Sequence, residues 1–228
     1  MHAFQHGNVK LSPVIKLELC VDIYFNNFGV DIRPLAWLGL IVFLVIQWRR
    51  KQSSAYIFCL LVFGTYLLYA LQVTFFPLQI SGRYADAMRQ NSSWMTDINL
   101  IPFYLPDGYR ENKDLFQFAL SQFASNILLT MPFGFGVNFV ARFRRIDFLW
   151  LPFAVGFGIE MSQLVMNFLL RYPYRVVDIT YASLNAAGVL IGYGFFWIFS
   201  RLYTLISSKI RINHKGLFGY VQEVASRA

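Results

Sequence analysis

The stretch AYIFCLLVFGTYLLYALQVTFFPLQI, residues 55–80, runs for 26 positions without a charged side chain. A helix rising 1.5 Å per residue needs roughly 20 such residues to cross a hydrocarbon core of about 30 Å. This stretch is a membrane span, and four more are found by working outward from it. One precedes it at 34–48, short unless residues 28–33 contribute at an interface. The others cover 116–140, where Pro132, Gly134 and Gly136 interrupt the run, then 148–170 and 179–206. The expected fold class is all-α, a polytopic membrane bundle of about five transmembrane helices. Residues 10–28 have mixed polarity and read as an amphipathic helix on the membrane surface.

Composition points the same way. Of the 228 residues, 57% are hydrophobic, 18% aromatic and 14% charged. A soluble domain carries about 25% charged residues, so too few polar side chains remain to coat a globule. The net charge of +8 does not indicate nucleic acid, because the basic residues form short clusters between apolar runs. Segments around 49–51, around 142–145 and after 201 hold 11 of the 20 Lys and Arg residues. The other 9 are spread over about twice the length, which places the N-terminus outside and the C-terminus inside.

The expected organisation is an extracytoplasmic segment 1–33, two anchoring helices in 34–80 and an extracytoplasmic loop 81–115. A three-helix core 116–206 and a cytoplasmic tail 207–228 complete it. The first 30 residues lack the unbroken apolar run of a signal peptide, so the spans themselves direct insertion. Cys20 and Cys59 have no metal-ligand spacing, and His2, His6 and His214 lie near the chain ends. No metal and no cofactor is expected, and 24 Phe with 13 Tyr suit lipid-facing surfaces without one.

Ionisable groups at membrane depth are functional candidates by default. Glu160 is one, in the middle of the fourth span, with Gln163 and Asn167 on its face and Gly156 one turn earlier. Gln122, Asn126 and Thr130 form a stripe on the third span, where Pro132 predicts a kink or break. Tyr181, Asn185, Gly188 and Gly192 form another on the fifth. Counted from the outer helix ends, Asn126, Glu160 and Asn185 lie at a common depth of about 10–15 Å. Arg171, Arg175 and Asp178 stand just outside. Together they describe an outward polar cleft floored by Glu160, with cations at its mouth suited to phosphate or carboxylate. Arg175 is the expected partner of Glu160. The competing interpretation makes the amides interhelical hydrogen bonders, favoured for Gln122 and Asn167, and makes Asp178 with Arg175 a pair at a helix start.

The same residues form an ordered series. Asn99-Leu100-Ile101-Pro102-Phe103 precedes the third span; Asn126-Ile127-Leu128-Leu129 and Met131-Pro132-Phe133-Gly134-Phe135 lie within it. Glu160-Met161-Ser162-Gln163, Arg175, Asp178 and Asn185 with Gly188 and Gly192 follow. Over about residues 97–200 this resembles the VanZ-like family, named for a protein associated with teicoplanin resistance. The resemblance carries over Asn99, Asn126, Glu160, Gln163, Arg175, Asp178 and Asn185. Met161-Ser162 replaces the family's more usual aliphatic pair, and Asn185 precedes Ala-Ala-Gly rather than Thr-Leu-Gly.

The resemblance implies a bacterial cytoplasmic-membrane protein and reduced glycopeptide susceptibility, without a settled biochemical activity. Three functions stay open. One is non-enzymatic binding of a membrane lipid or lipid-linked cell-wall intermediate in the cleft. Another is catalysis on a polyprenyl or phospholipid substrate, with Glu160 as base and Arg175 on phosphate. The third is a small transporter or flippase gated by Glu160. The oligomeric state is open, and no catalytic residue is assigned.

Overall fold

The computed structural model describes residues 29–30, 33–105, 108–109, 111–209 and 215–227. The expected surface helix at 10–28 lies outside the described residues. Among those described there are seven α-helices: α1 (Arg33–Arg49), α2 (Ser54–Phe75), α3 (Arg83–Asn91), α4 (Lys113–Val140), α5 (Leu151–Leu170), α6 (Ile179–Lys209) and α7 (Gly216–Ala225). A 3-10 turn, Arg145–Leu149, joins α4 to α5. Two short ladders complete the order. β1 (Gly29–Val30) pairs antiparallel with β2 (Leu78–Gln79), and β3 (Ile98–Asn99) pairs parallel with β4 (Val177–Asp178).

Among the described residues four helices are long and apolar enough to cross a membrane: α2, α4, α5 and α6, of 22, 28, 20 and 31 residues. The first of the five expected spans falls short of that length. With 17 residues α1 is about 25 Å long, because Gly29 and Val30 pair with β2 instead of extending the helix. The second stops at Phe75 rather than continuing to 80. Pro77 follows, and a proline disfavours helical backbone at the residue before it. Pro132 causes no break, for α4 runs through it. Pro132 is exposed, and α4 is clamped against α6 on both sides of it, through Thr130 and Met131 before it and Gly134 after it.

Local chemistry sets the helix starts. The Ser53 hydroxyl accepts from Tyr56 N–H at 3.2 Å to open α2. The Asn112 side chain accepts from the N–H groups of Asp114 and Leu115 to open α4. Pro152 in the first turn of α5 loses no hydrogen bond there.

The core is α6 packed closely against α4 and α5. A Cβ on Gly192 would collide with the Met131 carbonyl, one on Gly134 with the Val189 carbonyl, and one on Gly156 with the Ala182 carbonyl. Helices in lipid gain nothing from hiding apolar area from each other, so such backbone approach is what binds them. Thr130 adds a hydroxyl donated to the Asn185 carbonyl at 2.7 Å. Phe63, Val137, Phe148 and Leu151 fill the space below, and α2 is tied to α4 by Tyr66 Oη donating to Leu129 O at 2.7 Å. The segment expected as a plain tail folds back: α7 accepts from Tyr203 Oη at Phe218 O, and Ser207 Oγ donates to Gln222 Oε1. Large apolar side chains such as Leu128, Phe168 and Leu205 remain exposed on the long helices. Lipid is the solvent that suits them.

Candidate functional site

The site is built where the chain leaves α5 and re-enters the bundle as α6. α5 ends with Arg171 in the left-handed conformation, φ 61°. The next residues turn back along α5 instead of continuing away from it. Asn167, fully buried, clamps that return: its Oδ1 accepts from Tyr174 N–H at 3.0 Å and Arg175 N–H at 2.9 Å, and its Nδ2 donates to Arg175 O at 2.7 Å. Further down, Glu160 Oε2 accepts from Asp178 N–H at 3.0 Å. The extended chain from Tyr174 to Asp178, at about 3.3 Å per residue, matches the helix from Asn167 back to Glu160, at about 1.5 Å per residue. So α6 begins level with Glu160, about 15 Å below the end of α5.

Asp178 is the hub. Its Oδ1 caps α6 by accepting from Thr180 N–H at 2.6 Å, and its Oδ2 accepts from Asn99 Nδ2 at 2.9 Å. Asn99 Oδ1 in turn accepts from Ile101 N–H, and Thr180 Oγ1 accepts from Phe103 N–H at 2.9 Å. The β3–β4 pair runs alongside, Asn99 opposite Asp178. Phe103, Phe123 and Tyr181 meet edge to face above the start of α6. Backbone that is neither helix nor barrel survives at depth only when protein covers it and satisfies its polar groups, and this network does both.

The expected ion pair is absent among the described residues: Glu160 does not meet Arg175. Arg175 lies where the loop passes Asn167, above Glu160, and its guanidinium turns to α2. It stacks over Tyr174 at 5.2 Å and donates through Nη2 to Val73 O at 3.4 Å. Its Nε is buried without a hydrogen-bond partner. Glu160 is 5% exposed, closed over by the Asp178 backbone, so it is not the floor of an open cleft. Its electrostatic partner is the N-terminus of α6, whose aligned peptides carry roughly half a positive charge toward both carboxyl groups.

The remaining expected residues separate. Asn185 lies seven residues into the helix that starts level with Glu160, so it is about 10 Å deeper, not at a common depth. It is fully buried, and neither polar atom of its side chain has a partner. Asn126, half-buried, donates to Gln122 O in its own helix at 2.9 Å. Gln163 is half-buried on α5, and Arg171 is exposed at its end. Asn99, Glu160 and Asp178 are therefore joined directly, with Arg175 beside them; Asn126, Gln163, Arg171 and Asn185 are not part of that network.

Sequence reasoning missed the residues that fasten the returning loop to α2 and α3. Tyr172 Oη donates to Gln79 O at 2.6 Å, and Tyr174 Oη donates to Pro77 O. Arg89 on α3 donates through Nε to Leu170 O at 3.0 Å and faces the Tyr172 ring at 5.7 Å. Burial pushes both phenols above their ordinary pKa. The signal available was Tyr172-Pro173-Tyr174, two aromatics in a short loop beside a helix end. Among the described residues no group of three His, Cys, Asp or Glu side chains is placed to hold a metal ion.

Helices of this length, apolar outside and glycine-packed inside, make this a multi-pass membrane protein. The polar network at the head of α6 joins the segments that carry the sequence series noted above. Accordingly, the VanZ/LLP1 family model matches residues 63–200, and the chain belongs to that family. The match begins inside α2 and leaves α1 outside. No curated protein and no solved structure matches the chain.

Proposed function

We propose that this chain binds an anionic, lipid-linked headgroup at the end of the bundle that carries Arg175. In this reading the bundle lies in a bacterial cytoplasmic membrane, N-terminus outside, with that end facing outward. Holding a cell-wall intermediate there lowers susceptibility to teicoplanin-type glycopeptides. The chain binds and does not catalyse.

The observation that carries the reading is the Arg175 guanidinium, half-buried, with Nε lacking a partner and one weak bond to a helix-end carbonyl. An arginine left under-bonded in that way is suited to a phosphate, which accepts two parallel N–H bonds. The same end of α2 borders an apolar groove of about 270 Å³ against α1, lined by Trp37, Leu68, Tyr69, Gln72 and Phe76 among others. A prenyl or acyl chain fits such a surface. Glu160, sealed by the backbone, supports the site by holding the loop in place and is poorly placed as a proton gate.

The test uses purified protein and a long-chain polyprenyl phosphate as probe. Arg175→Ala should weaken binding by about tenfold or more, the loss expected of a charge-assisted hydrogen bond. Cells carrying that variant at wild-type abundance should have the teicoplanin susceptibility of cells without the protein. Equal binding and equal susceptibility would sink the reading.

A further inference from the structure

Between α3 and α4 the chain passes through levels of the bundle that its neighbours mark. Trp94 meets Phe168 edge to face at 5.4 Å, close to the end of α5. A few residues on, Asn99 pairs with Asp178, whose N–H is held by Glu160. Phe168 and Glu160 are eight residues apart in one helix, so the chain has descended by about 12 Å. Phe103 then meets the Phe123 ring of α4 at 6.4 Å. Lys113 opens that helix ten residues before Phe123, about 15 Å higher. The chain thus dips below the helix ends and climbs out again, beside two helices long enough to cross a membrane.

The bottom of the dip is apolar and open. No charged residue occurs from Ile98 to Leu105. Leu100, Ile101, Phe103 and Tyr104 are 74, 62, 58 and 49% exposed, and Pro102 is exposed with them. The backbone beneath is tied down. Ile101 N–H donates to Asn99 Oδ1, Phe103 N–H to Thr180 Oγ1 and Tyr104 N–H to Ile101 O, while Pro102 has no N–H to satisfy. Phe103 keeps a left-handed backbone, φ 56°, which a bulky residue adopts only where its surroundings impose it. What hydrocarbon excludes is an unpaired backbone group, not an apolar side chain. Met161, Val165 and Phe168, exposed along one face of α5, cover the same range of depth and already require lipid as their solvent.

We infer that residues 98–104 form a re-entrant membrane loop whose Leu100, Ile101, Phe103 and Tyr104 contact the acyl chains of the leaflet on that side. The segment between α3 and α4 is then not wholly in water: its middle lies in the bilayer, with Asn99 and Asp178 directly behind the lipid-facing side chains. The inference stands on the depth of the loop and makes no use of Arg175 as a ligand.

The experiment attaches a nitroxide spin label to Ile101→Cys, in a Cys20→Ser/Cys59→Ser background, with the full chain in phosphatidylcholine vesicles. Collisions with oxygen, which concentrates in hydrocarbon, are compared with collisions with a water-soluble nickel chelate. Met161→Cys, next to Glu160 and exposed, serves as the lipid reference, and Glu111→Cys, exposed just before α4, as the water reference. The oxygen-to-nickel ratio for Ile101→Cys should equal that for Met161→Cys and exceed that for Glu111→Cys several-fold. A ratio equal to that for Glu111→Cys puts the loop in water and overturns the proposal. A label screened from both reagents shows the loop covered by protein, a second copy included, and overturns the lipid assignment. Should the Ile101→Cys variant not fold, Leu100→Cys is read in the same way. Adding Arg175→Ala should leave the ratio unchanged, so failure of this proposal and failure of the headgroup site are told apart.

Discussion

At Gly64, where α2 packs on α1, the neighbour is a side chain: a Cβ there would meet the terminal methyls of Leu40. Between α4 and α6 the neighbour is a backbone carbonyl, that of Val189 at Gly134 and that of Met131 at Gly192. A leucine tip can rotate away, whereas a carbonyl fixed in a helix cannot. The first joint tolerates change and the second does not. Lipid solvates both pairs equally well, so the difference lies in what holds each together: adaptable side-chain contact in one, complementary backbone surfaces plus polar pins in the other. The family match, which begins at Phe63, takes in the rigid joint and omits α1.

The sharpest way to break this comparison is a pair of glycine substitutions. Gly192→Val should cost about 3 kcal/mol or more, the upper range for overfilling a packed site, and should leave little folded protein in detergent. Gly64→Ala should cost less than about 1 kcal/mol. Size-exclusion profiles of the two variants decide it, and equal behaviour would abolish the distinction.

Next in size is Asn167→Ala. It strands two backbone N–H groups, at Tyr174 and Arg175, and should cost about 2 kcal/mol or more. Hydrogen exchange should rise over 172–178 and stay unchanged in α1 and α2. An unaltered loop would show that the tyrosines, not Asn167, hold it.

The smallest effect is the response to alkali. Burial raises the Tyr172 and Tyr174 pKa above the ordinary value of 10.0. A raised folded-state value means that their contribution is fully present below pH 10 and is lost as pH rises beyond it. The loop should therefore loosen from β2 above pH 10, seen as faster proteolysis near 171–178, and Tyr172→Phe should reduce that pH dependence. A flat profile between pH 9 and 11 would count against the clamp.

Much of this could be read in the chain. The apolar runs located α2, α4, α5 and α6 because length and hydropathy suffice for that. The spacing of Glu160, Gln163 and Asn167 put them on one side of α5, and the ordered series placed Asn99 and Asp178 in the same account. What stayed hidden was direction. Eight residues between two helices can rise into water or turn back along the first helix, and nothing in 171–178 distinguishes the two by count. Because the chain turns back, Asp178 reaches Glu160 by its own N–H, Arg175 stops above it, and Asn185 sinks below. The expected pairing of Glu160 with Arg175 assumed that charge seeks charge, but a peptide dipole was nearer.

The parallel pairing of β3 with β4 also has a bearing on how the protein is made. Asn99 and Asp178 are 79 residues apart, with α4 and α5 between them. A chain emerging from its N-terminus has Asn99, Ile101 and Phe103 in place long before their partners exist. Those partners arrive only when the start of α6 does. This seam thus closes only after α4 and α5 have been made, and a chain released before residue 177 would carry its anchors without the closure that completes the site.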